Sequence, residues 1–295
     1  MTIGIVTPTL NHGRFLDETI RSVLDAATAP AEYVVVDGGS TDDSVAVLER
    51  YDGRLTAWSS EPDDGMYDAI QKGFTRTSSD VMAWLNAGDT YQPWTLSVVQ
   101  ELFATFPELE WLTTQRPLTL DEAGRVVACE FVGGYAADSF RAGVNLPGGN
   151  WFARAGIQQE STFWRRSLWE RAGGRLSASL QYAGDFELWL RFFDAGATLV
   201  SLDAPLAAHR VHAGQKTTTL DAYVAEATAA LEAAGHGGPS GSALRRLAYV
   251  TLGRRPLRRL PRSLARGLVA AGALSEVETI VWRDGGWQLA RDYAA

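Results

Sequence analysis

The stretch Val81-Met82-Ala83-Trp84-Leu85-Asn86-Ala87-Gly88-Asp89 decides how this chain is read. An apolar run without polar interruption predicts a strand covered on both faces, and here it stops at a small, polar tip that carries a carboxylate. In open α/β sheets ligands bind outside the carboxyl ends of the strands, so a site is expected at this tip. Gly88 lets a backbone come close to a ligand, and Asp89 offers a hard oxygen to a divalent cation. Taken alone, Asn86-Ala87-Gly88-Asp89 reads first as a tight turn that needs no function.

Toward the N-terminus the chain alternates strand and helix. Ile3 to Val6 predicts a strand ending in Thr7-Pro8-Thr9-Leu10-Asn11, and Leu16, Ile20, Val23, Leu24 and Ala27 recur at helical spacing. Tyr33 to Val36 predicts a second strand, closed by Asp37-Gly38-Gly39-Ser40-Thr41-Asp42, with Ser40 or Thr41 as cap of a helix through Val45 and Leu48. Leu55 to Trp58 predicts a third, followed by Glu61-Pro62-Asp63-Asp64-Gly65 and a helix with Met66, Ala69, Ile70, Gly73 and Phe74 on one face. Repeated β-α-β units predict an α/β fold with a doubly wound, mostly parallel sheet and right-handed crossovers.

Such a sheet lines up its loops along one edge. They carry Thr7 and Asn11, Asp37 and Ser40, Glu61 and Asp64, then Asn86 and Asp89. Several carboxylates in one crevice repel one another unless a cation or hydrogen-bond donors compensate, which favours a metal or a donor-rich ligand such as a nucleotide base. The loop after the second strand lacks the Gly-x-Gly-x-x-Gly spacing of dinucleotide sites, and the chain has no Walker-type Gly-Lys-Ser/Thr loop.

With 46% hydrophobic and 21% charged residues over 295 positions, a soluble globular protein with a sizeable core is expected. A net charge of −8 argues against nucleic acid as a partner. Cys129 is the single cysteine, which excludes an intrachain disulfide and fits a reducing compartment. Met1 to Val6 shows no signal peptide and no apolar run approaches a membrane span, so a cytoplasmic location is expected.

Eight arginines and no acidic residue lie between Arg245 and Arg266, just after the linker-like Gly235-His236-Gly237-Gly238-Pro239-Ser240-Gly241. The expected division is therefore a main domain over 1–235, with halves at 1–110 and 111–235, and a basic extension over 236–295. Solvated arginines on a packed helical hairpin are one reading of that extension, and peripheral contact with an anionic inner membrane face is the other. Val277 to Trp282 and Trp287 to Leu289, around Asp284-Gly285-Gly286, predict a terminal hairpin.

In the middle, Trp111 to Leu120 and Val126 to Val132 predict strands around Asp121-Glu122-Ala123-Gly124. The glycine-rich stretch from Phe131 to Trp151 reads as an acceptor-side lid, with Trp151 and Trp164 offering flat faces to a sugar ring or packing into the core.

These stretches, joined to Gln159-Glu160-Ser161-Thr162-Phe163-Trp164-Arg165-Arg166, Gly184-Asp185-Phe186-Glu187-Leu188-Trp189-Leu190-Arg191 and His209-Arg210-Val211-His212, resemble the family 2 inverting glycosyltransferases of the GT-A fold. The likeness runs in the family's order over roughly the first 220 residues. It implies that Thr7, Pro8, Asn11 and Asp37 cradle the nucleotide, that Asp64 and Lys72 lie toward the base and sugar diphosphate, and that Asn86, Ala87 and Gly88 line the same site. Asp89 matches the last carboxylate of the Asp-x-Asp metal element, whose first acid is here Asn86, so the choice between Mg²⁺ and Mn²⁺ stays open. His212 corresponds to a histidine that reaches the metal or diphosphate. Gln159 and Glu160, with Trp151 and Trp164, are assigned to the acceptor.

Inverting transfer needs a stabilised leaving group on one face of the sugar and a general base on the other. Asp185 matches the family's catalytic acid, with Glu187 in reserve. Each residue also has an ordinary reading: Asp185 as a helix cap, Glu187 with Arg191 and Asp68 with Lys72 as i, i+4 pairs, Asp37 as a turn former, His212 as a strand histidine. The resemblance implies a UDP-sugar or dTDP-sugar donor, a divalent metal and a glycan, lipid-linked or small-molecule acceptor; a homodimer is a further expectation. The rivals are a non-catalytic sugar-nucleotide-binding or scaffold protein and a nucleotidyltransferase; for the latter, Thr7 to Phe15 supplies no glycine-rich basic phosphate loop.

Overall fold

The computed structural model describes residues 1–146, 156–212, 220–236 and 261–294. The first half follows the expected alternation: β1 (Ile3–Thr9), α1 (Gly13–Leu24), β2 (Glu32–Asp37), α2 (Ser44–Arg50), β3 (Ala57–Ser60), α3 (Met66–Phe74), β4 (Val81–Trp84), β5 (Thr90–Tyr91) and α4 (Thr95–Thr105). The middle holds β6 (Trp111–Thr114), β7 (Leu118–Leu120), β8 (Val126–Cys129), α5 (Ala137–Arg141), a 3-10 turn over Gln159–Ser161, β9 (Phe163–Arg165) and α6 (Arg166–Arg171). There follow α7 (Gly184–Asp194), β10 (Leu199–Leu202), β11 (Ala207–Arg210), α8 (Leu220–Ala233), α9 (Arg262–Ala270), β12 (Ser275–Arg283) and β13 (Gly286–Ala294).

Among the described residues, nine strands form the main sheet in the order β13-β12-β10-β6-β9-β4-β1-β2-β3. All neighbours are parallel except where β9 meets β4 and β6 and where β13 meets β12. The central strands β1, β2 and β4 are covered on both faces, and their alternate residues divide between two cores. Val6, Val34, Val36, Met82 and Trp84 point to the layer holding α3 and α7, and Ile5, Tyr33, Val35, Val81 and Ala83 to the layer holding α1 and α4. That division is why these strands read as unbroken apolar runs.

Helix α3 rests directly on β1, because Gly73 leaves room for Val6. A Cβ at 73 would stand 2.3 Å from Val6 Cγ1. Gly73→Ala is therefore expected to destabilise by ~1–3 kcal/mol through overpacking, read as a lowered urea midpoint with an unchanged slope.

Three expectations change. The third strand is Ala57–Ser60 rather than Leu55 to Trp58, since the Leu55 N–H closes a turn on Tyr51 O (3.2 Å). The start of α2 is organised by Asp42, whose carboxylate accepts from Ser44 N (3.0 Å) and Gly13 N (2.9 Å) and so ties α2 to α1; Ser40 and Thr41 bond elsewhere. Trp111 to Leu120 is not one strand: β6 lies in the main sheet, whereas β7 pairs with β8 in a second, four-stranded sheet ordered β5-β11-β7-β8. Gln115 to Pro117 is the crossing between them.

At the C-terminus the predicted hairpin is present as β12 and β13, and β12 extends the main sheet beside β10. Its turn residues Asp284 (φ 51°) and Gly285 (φ 80°) are both left-handed, as a two-residue type I′ turn requires. Most of the arginine-rich stretch, residues 245–260, lies outside the described residues, as does Trp151 in the glycine-rich loop. Among the described residues no helix is long and apolar enough to cross a membrane.

Candidate active site

Parallel strands deliver their carboxyl ends to one edge, and the loops there are knitted together. Asn11, after β1, adopts a left-handed φ of 53°, a conformation its short polar side chain tolerates. Its Oδ1 accepts from Thr41 N (2.8 Å) while its own N–H donates to Ser40 Oγ (2.7 Å), joining the loops after β1 and β2. Asp37 is fully buried at the end of β2. One of its oxygens accepts from Ser40 N (2.9 Å), Gly39 N (3.2 Å) and Ser60 Oγ (2.6 Å), and the other from the Ser40 hydroxyl. The Asp37 carboxylate thus organises its loop and is surrounded by donors.

The tip after β4 is anchored from three sides. Gly88 has φ 111°, and its N–H donates to Thr19 Oγ1 (2.9 Å), which in turn donates to Asp89 O (2.9 Å). From β11, buried Arg210 donates Nε to Gly88 O (2.8 Å) and its backbone N–H to Asp89 Oδ1 (2.9 Å). The Ala87 N–H reaches Pro8 O (3.4 Å), so the ends of β1 and β4 stay together. Asn86 donates Nδ2 to Gln159 Oε1 (3.0 Å), and Gln159 donates Nε2 to Trp84 O (2.7 Å). Asn86 Oδ1 is buried with no hydrogen-bond partner among the described residues.

Because β9 runs against its neighbours, the residues just before it, Gln159 and Glu160, arrive at this same edge. Glu160 is 5% exposed, and its Oε1 has no hydrogen-bond partner among the described residues. Burial pushes its carboxyl up to about 7, with the charges of Asp89 and Asp185 raising it further and His209 opposing. His209, half-buried on β11, lies with Nδ1 3.2 Å from Asp89 Oδ1. Burial alone would lower the imidazole, yet the Asp89 carboxylate outweighs it and raises His209 to about 9.

Asp185 stands in the first turn of α7, where a helix start favours negative charge. Burial raises its carboxyl to about 6, against the lowering effect of the Phe186 N–H and the Tyr223 hydroxyl. Tyr67 Oη and Tyr223 Oη each lie 3.5 Å from one of its oxygens. The charges of Asp185 and Asp89 both act on Glu160, so that carboxyl lies within electrostatic reach of each.

The remaining expected residues are placed as follows. Thr7 turns its hydroxyl into the core against Tyr33 Oη (3.0 Å), away from the crevice. Trp164 is fully buried among Phe74, Trp84 and Trp189, so of its two readings core packing holds and the acceptor-side role does not. Lys72 pairs with Asp68 (2.8 Å) and Glu187 with Arg191 (2.8 Å), both at i, i+4. Asp64 is exposed, with its carbonyl 3.4 Å from Gln181 Nε2. The His212 ring packs against His12 (5.5 Å between centroids) and Phe15 (5.0 Å).

Sequence reasoning gave no role to Thr19, Tyr67, His209, Arg210 or Tyr223. His209 and Arg210 lay within a quoted motif, but only the pairing of β11 with β5 brings them to Asp89. Nothing in the sequence connects Tyr223 to Asp185.

Residues 4–113 match the family model described as glycosyl transferase family 2. An uncharacterized glycosyltransferase of Mycobacterium tuberculosis (strain ATCC 25618 / H37Rv) is 35% identical over 91 residues, which is 30% of this chain and 35% of that protein. The chain thus spans about a third of that relative's length. Staphylococcus aureus TarS 1–349, solved with UDP-GlcNAc, superposes with a TM-score of 0.59 at 15% identity, covering 91% of this chain and 73% of the other. The mannosyltransferase PcManGT of Pyrobaculum calidifontis, solved with GDP-Man and Mn²⁺, gives 0.55 at 16% identity, over 92% and 80%. At such identities the two structures speak for the fold, and the sequence match speaks for the family. Residues 4–113 therefore carry the pattern of the family 2 glycosyltransferases, and the chain has the GT-A fold of these two structures.

Proposed function

We propose that the protein transfers a sugar, with inversion, from a nucleotide diphosphate sugar to an acceptor hydroxyl, with Asp185 as general base. The observation that carries this reading is a buried carboxylate, raised to about 6, at the start of α7 and within electrostatic reach of Glu160, which also feels Asp89. At neutral pH Asp185 is ionised and close enough to its titration point to take a proton from an alcohol as the C–O bond forms. The acceptor oxygen attacks the anomeric carbon from the Asp185 side, the bond to the diphosphate breaks on the opposite side, and the proton passes to Asp185.

For the donor, the loops bearing Asn11, Asp37 and Asp64 are the nucleotide side. UDP- and dTDP-sugars are the proposed class, with the UDP-GlcNAc complex of TarS as support. A divalent cation fits the Asn86–Asp89 tip: both residues present hard oxygens, and Asn86 Oδ1 is buried without a partner among the described residues. Among those residues no three His, Cys, Asp or Glu side chains form a cage, so the cation would be shared with the donor's diphosphate. Bound there, it would neutralise charge on the departing diphosphate. Gln159 fixes the Asn86 side chain, and Glu160 faces the acceptor or the sugar.

Thermal shift with UDP, dTDP and GDP, each with and without Mn²⁺, tests the reading. A nucleotide at 100 times its Kd should add ~2.7 kcal/mol, and Mn²⁺ should enlarge the effect of the diphosphate. A protein whose melting ignores every nucleoside diphosphate would refute it.

A further inference from the structure

Asp185 has a restricted supply of hydrogen-bond donors. Tyr67 Oη is 3.5 Å from Asp185 Oδ1, but a phenol has one proton, and that of Tyr67 is directed to Tyr182 O at 2.9 Å. Tyr67 is also an acceptor for the Asp185 N–H at 3.4 Å. The remaining side-chain hydroxyl among the described residues is Tyr223, on α8, 3.5 Å from Asp185 Oδ2.

One turn along the same helix, Glu226 addresses the segment that leads into α7. Its carboxylate accepts from Gln181 N (3.0 and 3.2 Å), Tyr182 N (2.8 Å) and Ala183 N (2.9 Å). No side chain of that segment caps α7 itself; the position before the helix is Ala183. Tyr223 and Glu226 are spaced i, i+3 and share a face, while Ala227 and Leu231 bury α8 against the core.

We propose that Tyr223 and Glu226 of α8 are positioning residues for Asp185: Glu226 fixes the backbone approach to α7, and the Tyr223 hydroxyl orients and stabilises the ionised carboxylate. This rests on Asp185 being the general base. At 3.5 Å the hydroxyl is at the outer limit of a hydrogen bond, so its contribution is chiefly a directed dipole. The groups facing Asp185 are Tyr67 from α3, Tyr223 from α8 and Glu160 from the 3-10 turn, with the Glu226 carboxylate acting on Tyr67 and on the backbone of residues 181–183. Of these, Tyr223 is the one that donates to the charged form.

Carbon-13 labelling of aspartate carboxyls in the full chain, with Asp185→Asn identifying the signal, reads the Asp185 titration without substrate. Tyr223→Phe should raise the midpoint by ~0.5 pH unit, since a donor to the charged form is lost, and leave the melting temperature within ~2 °C. Glu226→Ala should speed amide hydrogen exchange at residues 181–183 by about tenfold or more. An Asp185 midpoint unmoved in Tyr223→Phe, or unchanged exchange at 181–183 in Glu226→Ala, would overturn the proposal. Failure of the base assignment would register separately, as sugar transfer that survives Asp185→Asn.

Discussion

Replacing Asp185 by asparagine is expected to lower turnover by ~10²–10⁴-fold, the span that general-base catalysis contributes, with little change in donor affinity. The amide keeps the shape and loses the proton-accepting charge. In the unaltered protein the same group should set the acid limb of the rate profile. The carboxylate must be ionised to act, and burial has raised it from 3.8 to about 6, so kcat/KM should fall through a midpoint near pH 6 as the solution is acidified. The effect on stability has the opposite sign. A carboxyl whose folded value is raised holds its proton more firmly when folded, so its stabilising contribution is complete below about pH 4 and is lost as pH rises through about 6. At neutral pH Asp185→Asn should therefore melt higher than the parent while turning over far more slowly. Loss of turnover with a lowered melting temperature would identify a structural aspartate instead.

Trp189→Ala is expected to cost ~3–5 kcal/mol, the largest stability effect of the substitutions considered. Trp189 lies one turn beyond Asp185 on α7 and packs against three other indoles: parallel to Trp84 (5.7 Å, 9°), tilted on Trp111 (5.4 Å) and edge-on to Trp164 (5.5 Å, 70°). All four are essentially excluded from solvent, and none of their N–H groups has a hydrogen-bond partner among the described residues. The near-perpendicular pairs turn ring edges onto ring faces, which offers an indole N–H an aromatic acceptor. Removing the central ring opens a cavity one helical turn from Asp185 on α7. A chemical denaturation midpoint should fall sharply, and turnover should fall as well, because α7 loses the packing that fixes its first turn.

The parts of the fold that were legible in the sequence are those specified by local pattern. From Ile3 to Asp89, β2 and β4 are mostly apolar runs and the helices periodic stripes, so the alternation of elements and the parallel direction follow, whereas β3, half polar, was misplaced by two residues. Asn11, Asp37, Asn86 and Asp89 sit at strand ends for the same reason. What escaped depends on pairing between distant segments. A three-residue strand such as Phe163-Trp164-Arg165 has no periodicity to detect, so its place in the centre of the sheet could not be anticipated, and the sequence left open whether Trp164 packs into the core or faces a sugar. Thr7 was assigned to the loop, yet β1 continues to Thr9 and turns residue 7 inward. His209 and Arg210 meet Asp89 only through β11, and Tyr223 meets Asp185 only through the docking of α8.

The position of β9 between β4 and β6 bears on how the protein emerges during synthesis. When β4 has been made, its outer backbone groups must wait for a partner encoded roughly 80 residues later, about 4–16 s at ~5–20 residues per second. Throughout that interval the nascent chain exposes an unpaired, apolar strand margin, the kind of template on which aggregates grow. A shortened polypeptide ending near residue 113 would remain in that condition permanently, so the segment with the clearest ancestry is not one that could be expressed usefully by itself.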